Sequence, residues 1–360
     1  MHKSFSALAG PAILFMAANA GAYRSPDFGD LKIFPDDNYW HWDISKYQVH
    51  PNSPNLVASV GNGAALHPDF GTVYAGAPMG IPFIVVDKSQ AKIAVNYTDY
   101  GDESDPGPYP IPLTAPVEGG PSSTGDRHVL AVDKDSQVLY ELYHAFPRAA
   151  QWDASSGAKF DLAINDMHPK GWTSADAAGL PILPGLVRYE EIAKGEINHA
   201  IRMTLQNSRN RYIWPASHYA STKTDSNLPP MGMRFRLKAG YDITTFPATA
   251  QVVLKALKKH GMIVADNGGN WFISGAPDER FLDSEINTLK RLRGGDFEAL
   301  LTIDAAGNPI KPTAGIVILG APLRTYAAGP LYNLLGRRFA SKPANAPQLL
   351  FSIERIRGNP

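Results

Sequence analysis

The most acidic loop of the sequence is GDESDPGPYP, residues 101–110. It holds three carboxylates within four positions, on Asp102, Glu103 and Asp105, and Tyr109 follows. Its prolines fix φ and cannot donate backbone hydrogen bonds, so we expect a stiff loop at the rim of a sheet. Glycoside hydrolysis needs two carboxylates, one protonated and one ionised, roughly 5–10 Å apart. We therefore predict that Glu103 and Asp105 are catalytic and that Asp102 and Tyr109 bind substrate.

Two other interpretations of this loop stay open. An acidic run is often an ordinary solvated turn. Carboxylates also bind calcium, although the spacing here is not that of an EF-hand loop. No H-E-x-x-H or comparable metal motif occurs in the sequence. We therefore predict no metal in the active site and no cofactor, with a structural calcium ion as the alternative.

A second group of reactive residues stands in GDRHVL, where Asp126, Arg127 and His128 precede a strand pattern. Asp126 and Arg127 are suited to binding substrate, and His128 is suited to catalysis because its pKa lies near neutrality. If the hairpin that follows has a two-residue turn, His128 lies opposite Glu141 on one sheet face. A simple cross-strand pair between these two side chains is the alternative interpretation.

Two loops rich in aromatic residues complete the candidate site. GWTSADAAGLP contributes Trp172 and Asp176, and WPASHYAS contributes Trp214, His218 and Tyr219. Aromatic side chains on loops stack against sugar rings, and His, Tyr or Asp nearby can transfer protons. We predict that Asp176 is catalytic and that the other four bind substrate. Core packing is the alternative for each aromatic residue.

Several motifs together resemble a family of secreted bacterial proteins, some of which are attached to carbohydrate-binding modules. The motifs are YGDESDPGPYPIP, EGG, GDRHVL, LYELY, GWTSADAAGLPILPGLVRYEE, WPASHYAS and LPPMGMRFRLKA. They lie within residues 34–276 and are long and specific. The resemblance implies an extracellular setting among carbohydrates. It assigns no reaction and no residue roles.

Composition excludes several classes of protein. The 360 residues carry a formal net charge of +0, whereas phosphate binding needs a basic excess, so nucleic acid is not an expected partner. The chain is 44% hydrophobic and 19% charged, which is typical of a folded globule. It contains no cysteine, which excludes disulfides and cysteine nucleophiles.

Residues 1–22 have the pattern of a secretory signal peptide. A lysine precedes an apolar run, and small residues at Ala18 and Ala20 offer a cleavage site. The run is too short to span a bilayer. We expect a secreted or periplasmic protein that is monomeric and not inserted in a membrane.

The remaining pattern predicts a mainly β fold, sandwich-like or jelly-roll-like, with an α+β C-terminal portion. Strands are predicted at 81–86, 92–97, 197–205 and 233–238, hairpins at 127–143 and 265–272, and helices at 189–195, 246–261 and 283–293. We expect one domain at 23–300 and an extension at 301–360 packed on it.

These observations favour a carbohydrate-active enzyme that cleaves a polysaccharide or oligosaccharide, similar to a glycoside hydrolase. One alternative is a polysaccharide lyase, in which a cationic strand face (Arg234, Arg236, Lys238) neutralises a uronate and His218 or Tyr219 removes the proton. The other alternative is an extracellular carbohydrate-binding protein without catalysis.

Overall fold

The structure is a computed structural model that describes residues 23–312. Its strands are β1 (His67–Asp69), β2 (Val73–Tyr74), β3 (Ala77–Pro78), β4 (Phe83–Val86), β5 (Ala94–Tyr97), β6 (Val129–Asp133), β7 (Val138–Tyr143), β8 (Phe146–Pro147), β9 (Gln151–Ala154), β10 (Ser156–Asp161), β11 (Ile201–Leu205), β12 (Arg234–Leu237), β13 (Met262–Asn267), β14 (Phe272–Ser274) and β15 (Phe297–Ala299). Its α-helices are α1 (Ser53–Val60), α2 (Tyr189–Lys194), α3 (Ala248–Lys259) and α4 (Asp283–Ile286). Short 3₁₀ segments lie at Tyr39–His41, Gly101–Glu103, Leu183–Gly185, Asn287–Arg291 and Gly294–Asp296.

The largest sheet has six strands in the order β1-β14-β11-β13-β12-β15. Strands β11 and β13 run parallel, as do β1 and β14. The predicted hairpin at 265–272 is wrong, because β11 lies between β13 and β14 and pairs with both. The glycine-rich connection therefore crosses the end of β11 and does not close a two-stranded turn.

A second sheet of four strands has the order β10-β7-β6-β4, and smaller sheets pair β2 with β3 and β5 with β9 and β8. The predicted hairpin at 127–143 is present as β6 and β7. Its register differs by two residues from the predicted one, because Glu141 lies opposite Leu130 and not opposite His128. The turn between Asp133 and Val138 is four residues long. A shift of two keeps every side chain on its predicted face.

Two hydrophobic cores hold the sheets together. The larger core joins side chains of both main sheets, such as Val132 and Met203, with the buried faces of α1 and α3. The smaller core fills the space between β6–β7 and β9, around Trp152 and Tyr109. The main sheets thus share one core, which fixes the position of β6 relative to β11.

The helix predictions are confirmed at two of three sites. Helix α2 ends at Gly195, whose φ of 82° suits glycine, and α3 matches the predicted helix at 246–261. The third is shorter than predicted, since α4 ends at Ile286 and continues as a 3₁₀ segment. The strand predicted at 197–205 begins only at Ile201, and all five of its residues are buried.

The mainly β prediction is confirmed. The sheets are mixed, with parallel pairs in three of them, so the strand order is not that of a purely antiparallel jelly roll. Residues 301–312 belong to the same compact unit, and Leu301 N–H donates to the Gln48 carbonyl. The predicted signal peptide and residues 313–360 lie outside the described residues. Among residues 23–312, no helix is long and apolar enough to cross a membrane.

Candidate functional site

A buried arginine on β11 organises the largest group of charged side chains. Arg202 donates to both carboxylate oxygens of Asp176, with distances of 2.7 Å from Nε and 2.7 Å from Nη2. Its Nη1 donates to Ser274 Oγ at 2.8 Å, and Nη2 also donates to Asp266 Oδ2 at 3.1 Å. Burial acts to lower the pKa of Arg202, but Asp176 outweighs it and raises that pKa. The guanidinium is therefore a fixed cation that holds two carboxylates in place.

Two carboxyl groups near this arginine have a raised pKa. Burial, followed by the charge of Asp176, raises the pKa of Asp266 to about 7. Burial, followed by the charge of Glu118, also raises the pKa of Asp69, at the end of β1. The Asp266 side chain is 18% exposed, so it can reach a ligand. A carboxylic acid with a pKa near neutrality is what general acid catalysis requires.

A neighbouring carboxyl group, on Glu118, has a lowered pKa. Glu118 Oε2 lies 2.6 Å from His128 Nδ1. Burial disfavours the imidazolium, but the charge of Glu118 outweighs it and raises the pKa of His128 to about 9. Burial likewise acts to raise the pKa of Glu118, yet His128 lowers it overall. At neutral pH these two side chains form an ion pair, and 25% of the Glu118 side chain is exposed.

The solvent-facing edge of the group is formed by Asp126 and Tyr143. The charge of Asp126 acts to raise the pKa of Asp266 and of Tyr143, and its carboxylate lies within 4.8 Å of ligand atoms of Glu118 and His128. The Tyr143 ring is 5.5 Å from that of His128. We call the whole set the arginine cluster: Asp69, Glu118, Asp126, His128, Tyr143, Asp176, Arg202 and Asp266. Its floor is buried and its rim is exposed.

Within the described residues, the arginine cluster also contains a set of possible metal ligands. Glu118, Asp126 and His128 each offer one ligand atom, and these atoms lie within 4.8 Å of one another. His128 Nε2 donates to the Ala175 carbonyl at 3.1 Å, a contact that metal-bound histidines commonly make. The Nδ1 atom faces Glu118, so a cation bound there would replace the proton of the ion pair.

The acidic loop, residues 101–110, is tied to neighbouring segments by its carboxylates. Asp105 Oδ2 accepts from Lys159 N–H at 2.8 Å and lies 3.1 Å from His168 Nε2. Glu103 Oε2 accepts from Thr173 N–H at 2.9 Å. Asp102 is exposed on the 3₁₀ segment. Glu103 and Asp105 thus hold the loop in position, whether or not they have another role.

Of three residues that we expected to bind substrate, two lie inside the protein and the third is half-buried. Tyr109 is fully buried in the smaller core, and its hydroxyl donates to the Asp105 carbonyl at 2.9 Å. Arg127 is 2% exposed and donates to the carbonyls of three loop residues, Pro121, Ser123 and Ala145. Trp214 stacks on Trp42 at 4.7 Å. Tyr109 and Arg127 therefore stabilise loops, and Trp214 packs against the larger core with part of its side chain exposed.

The other aromatic candidates lie beside Glu103. Ser217 Oγ donates to the Trp172 carbonyl at 2.9 Å, and His218 Nε2 is 3.9 Å from Glu103 Oε2. Tyr219 is 41% exposed and stacks on His218, with ring centroids 5.6 Å apart. The structure therefore brings this part of the predicted site together.

The segment 172–176 connects the acidic loop with the arginine cluster. Thr173 N–H binds Glu103, the Ala175 carbonyl accepts from His128, and Asp176 binds Arg202. Asp176 is predicted to be catalytic, but its side chain is 0% exposed, so it positions Arg202 and does not contact substrate.

Glu141 and His128 do not pair with each other. Glu141 is fully buried and accepts from the backbone N–H groups of Ile182 and Leu183 at 2.9–3.0 Å. Burial raises the pKa of Glu141 to about 7. The alternative interpretation, a cross-strand pair between His128 and Glu141, is therefore wrong. His128 pairs with Glu118, ten residues earlier in the chain.

Two of the three cations predicted on β12 are buried, and the third, Lys238, is exposed and donates to the Gly295 carbonyl. Arg234 donates to the Tyr39 carbonyl, and Arg236 donates to Glu298 and to the Ile44 carbonyl. Arg234 is 4% exposed and Arg236 is 8% exposed. They fasten the segment around residues 39–45 to the sheet and are not available to neutralise a uronate.

Sequence reasoning missed Glu118, Tyr143, Arg202, Asp266 and Asp69 as site residues. A pattern for one of them exists, since Asp266 ends the run MIVAD, and one asparagine separates it from a glycine pair. Polar residues at the carboxyl ends of parallel strands commonly form ligand sites. Arg202 carries no such pattern, because one arginine in an apolar strand gives no indication of its partners.

No protein-family model, no curated protein and no solved structure matches this chain.

Proposed function

We propose that this protein is an extracellular carbohydrate-active enzyme that cleaves a polysaccharide by carboxylate acid/base catalysis, as glycoside hydrolases do, at the arginine cluster. One observation carries the proposal. Five carboxyl groups (Asp69, Glu118, Asp126, Asp176 and Asp266) surround two cations, Arg202 and His128, at a site whose rim is open to solvent. Such an excess of acid favours retention of a proton on one carboxyl group.

The opposite pKa shifts of Asp266 and Glu118 support distinct roles for these two side chains. Asp266, with its raised pKa, is the proton donor to the departing glycosidic oxygen. Glu118, with its lowered pKa, is the ionised partner that assists the attack on the sugar carbon. Arg202 and Asp176 are positioning residues, because their bidentate pair fixes Asp266 and they are themselves buried.

The lyase alternative has less support. Its proposed cations on β12 bind backbone carbonyls, and Arg202 is occupied by two aspartates. His218, its proposed base, engages the Ala177 carbonyl through Nδ1 at 2.9 Å. A proton-abstracting pair is present in His128 and Tyr143, but the His128 pKa near 9 leaves that imidazole protonated at neutral pH.

The product of the reaction distinguishes the candidates. We expect the purified protein to release reducing ends from at least one polysaccharide in a panel, with no new ultraviolet absorbance at neutral pH. A lyase would produce an unsaturated product that absorbs in the ultraviolet, and a binding protein would release nothing. An Asp266→Asn variant purified in the same way controls for contaminating enzymes and should release more than about a hundredfold less product. Equal release by both preparations would contradict the proposal.

A further inference from the structure

A polar groove of about 510 Å³ is lined by segments that follow β11 and by the residue after Asp266. The chain leaving β11 contributes Gln206, Asn207 and Ser208 to it. Asn267 follows Asp266 directly and is the last residue of β13. The opposite wall is the segment 219–223. The volume is within the range of ligand sites in proteins, roughly 300–1,000 Å³. We call this site the amide groove.

The lining of the amide groove is polar and almost uncharged. Besides one alanine, its residues carry amides, hydroxyls, one phenol and one ammonium group, with no carboxylate among them. The ammonium group, on Lys223, donates to Asn207 Oδ1. Neutral hydrogen-bonding groups recognise a ligand that is itself rich in neutral donors and acceptors, which is the chemistry of sugar hydroxyls.

Two buried polar atoms in the amide groove have no partner among residues 23–312. Ser208 is 0% exposed, and its Oγ makes no hydrogen bond there. Asn267 donates from Nδ2 to the Ala220 carbonyl at 2.7 Å, and its Oδ1 is buried and without a donor. Because unsatisfied buried polar atoms are costly and rare, both point to a ligand that supplies hydroxyl groups.

The rim of the groove offers a flat aromatic surface. Tyr219 lines it and is 41% exposed. Its ring is stacked with His218 and also with Tyr212, at 6.4 Å and an interplanar angle of 16°. The two stacked neighbours hold the ring in one orientation, so little conformational entropy is lost when a ligand packs on it. An exposed, immobilised tyrosine beside amide groups suits the apolar face of a sugar ring.

We propose that the amide groove binds neutral sugar units of the substrate, next to the bond that the arginine cluster cleaves. The inference rests on the proposed function and narrows it to polysaccharides without uronate groups in this position. Ser208 Oγ and Asn267 Oδ1 accept from sugar hydroxyls, and Tyr219 packs against the ring.

The test measures binding without turnover, by calorimetry on the Asp266→Asn variant. The probes are cellohexaose, xylohexaose and mannohexaose, with an oligogalacturonate as the charged comparison. We expect at least one neutral probe to bind more tightly than the oligogalacturonate. Adding Tyr219→Ala should weaken that binding about tenfold. Adding Tyr74→Ala, which removes another exposed tyrosine outside the groove, should leave it unchanged.

Ser208→Ala separates a ligand contact from a structural role. Its hydroxyl has no partner among the described residues, so removal should leave the melting temperature unchanged or raised, while the affinity falls about fivefold. The inference is overturned if no neutral probe binds, if the oligogalacturonate binds more tightly, or if Tyr219→Ala binds as the parent does. If a neutral probe binds in the groove but the wild type cleaves no polysaccharide, the proposed function fails, and of the inference only the binding of neutral sugars stands.

Discussion

The acidic loop and the arginine cluster both concentrate carboxyl groups, and their environments differ. In the acidic loop, Glu103 and Asp105 accept hydrogen bonds from backbone N–H groups of other segments. In the arginine cluster, carboxyl groups outnumber cations, and burial raises the pKa of Asp266 to about 7. A carboxylate that accepts backbone hydrogen bonds is stabilised in its ionised form, whereas one held near other acids retains a proton. The density of acid along the chain therefore does not predict which carboxyl group has a raised pKa.

The largest expected effect concerns the buried pair that organises the arginine cluster. Asp176→Ala leaves the Arg202 cation buried without its bidentate partner. Such a loss costs about 3–5 kcal/mol of folding free energy. Urea unfolding measures it, with Asp102→Ala in the acidic loop as the control. Asp102 is exposed, so its removal should change stability by less than about 0.5 kcal/mol. Equal effects of the two changes would contradict the difference drawn between the regions.

A smaller effect is expected where the acidic loop is fastened. Asp105→Asn keeps the shape of the side chain but removes the charge that accepts from Lys159 N–H and faces His168. We expect a loss of about 1.5–3 kcal/mol in unfolding free energy, the usual contribution of a hydrogen bond to a charged group. The catalytic rate of the folded variant should stay within a few-fold of the wild type. A rate loss above a hundredfold with unchanged melting would instead make Asp105 a catalytic residue.

The smallest expected effect is the pH dependence of the contribution that Asp105 makes to the unfolding free energy. Burial acts to raise the pKa of Asp105, but hydrogen bonds from His168 and Lys159 N–H outweigh it and lower the pKa. A lowered folded-state pKa gives stability that is present above the unfolded pKa, roughly 3.9, and lost as the pH falls through the folded value. The difference in unfolding free energy between wild type and Asp105→Asn should therefore narrow below about pH 4. A difference that widens on acidification would refute this sign.

Local patterns in the sequence predict much of the fold. The apolar spacing and terminal glycine of α3, and the alternation in β6 and β7, are local features that tertiary contacts did not override. The order of strands could not be predicted, because insertion of β11 between β13 and β14 depends on contacts some sixty residues apart.

The candidate site, like the fold, could be predicted only in part from local patterns in the sequence. His218, Tyr219 and Glu103 lie together as expected, since loops next to sheet edges carried visible clusters of polar and aromatic residues. The pairing of His128 with Glu118 and of Arg202 with Asp266 joins different segments, and no local spacing encodes it. Burial, which raises the pKa of Asp266, is likewise a property of the folded chain alone.

The central claim is that the proton donor belongs to the arginine cluster and not to the acidic loop. The most direct measurement compares the initial rates of polysaccharide cleavage by Asp266→Asn and Glu103→Gln, together with their melting temperatures. We predict that Asp266→Asn lowers the rate by more than about a hundredfold with little change in melting, because an amide cannot supply the proton. Glu103→Gln should keep the rate within a few-fold. A hundredfold loss in Glu103→Gln, with Asp266→Asn fully active, would contradict the account.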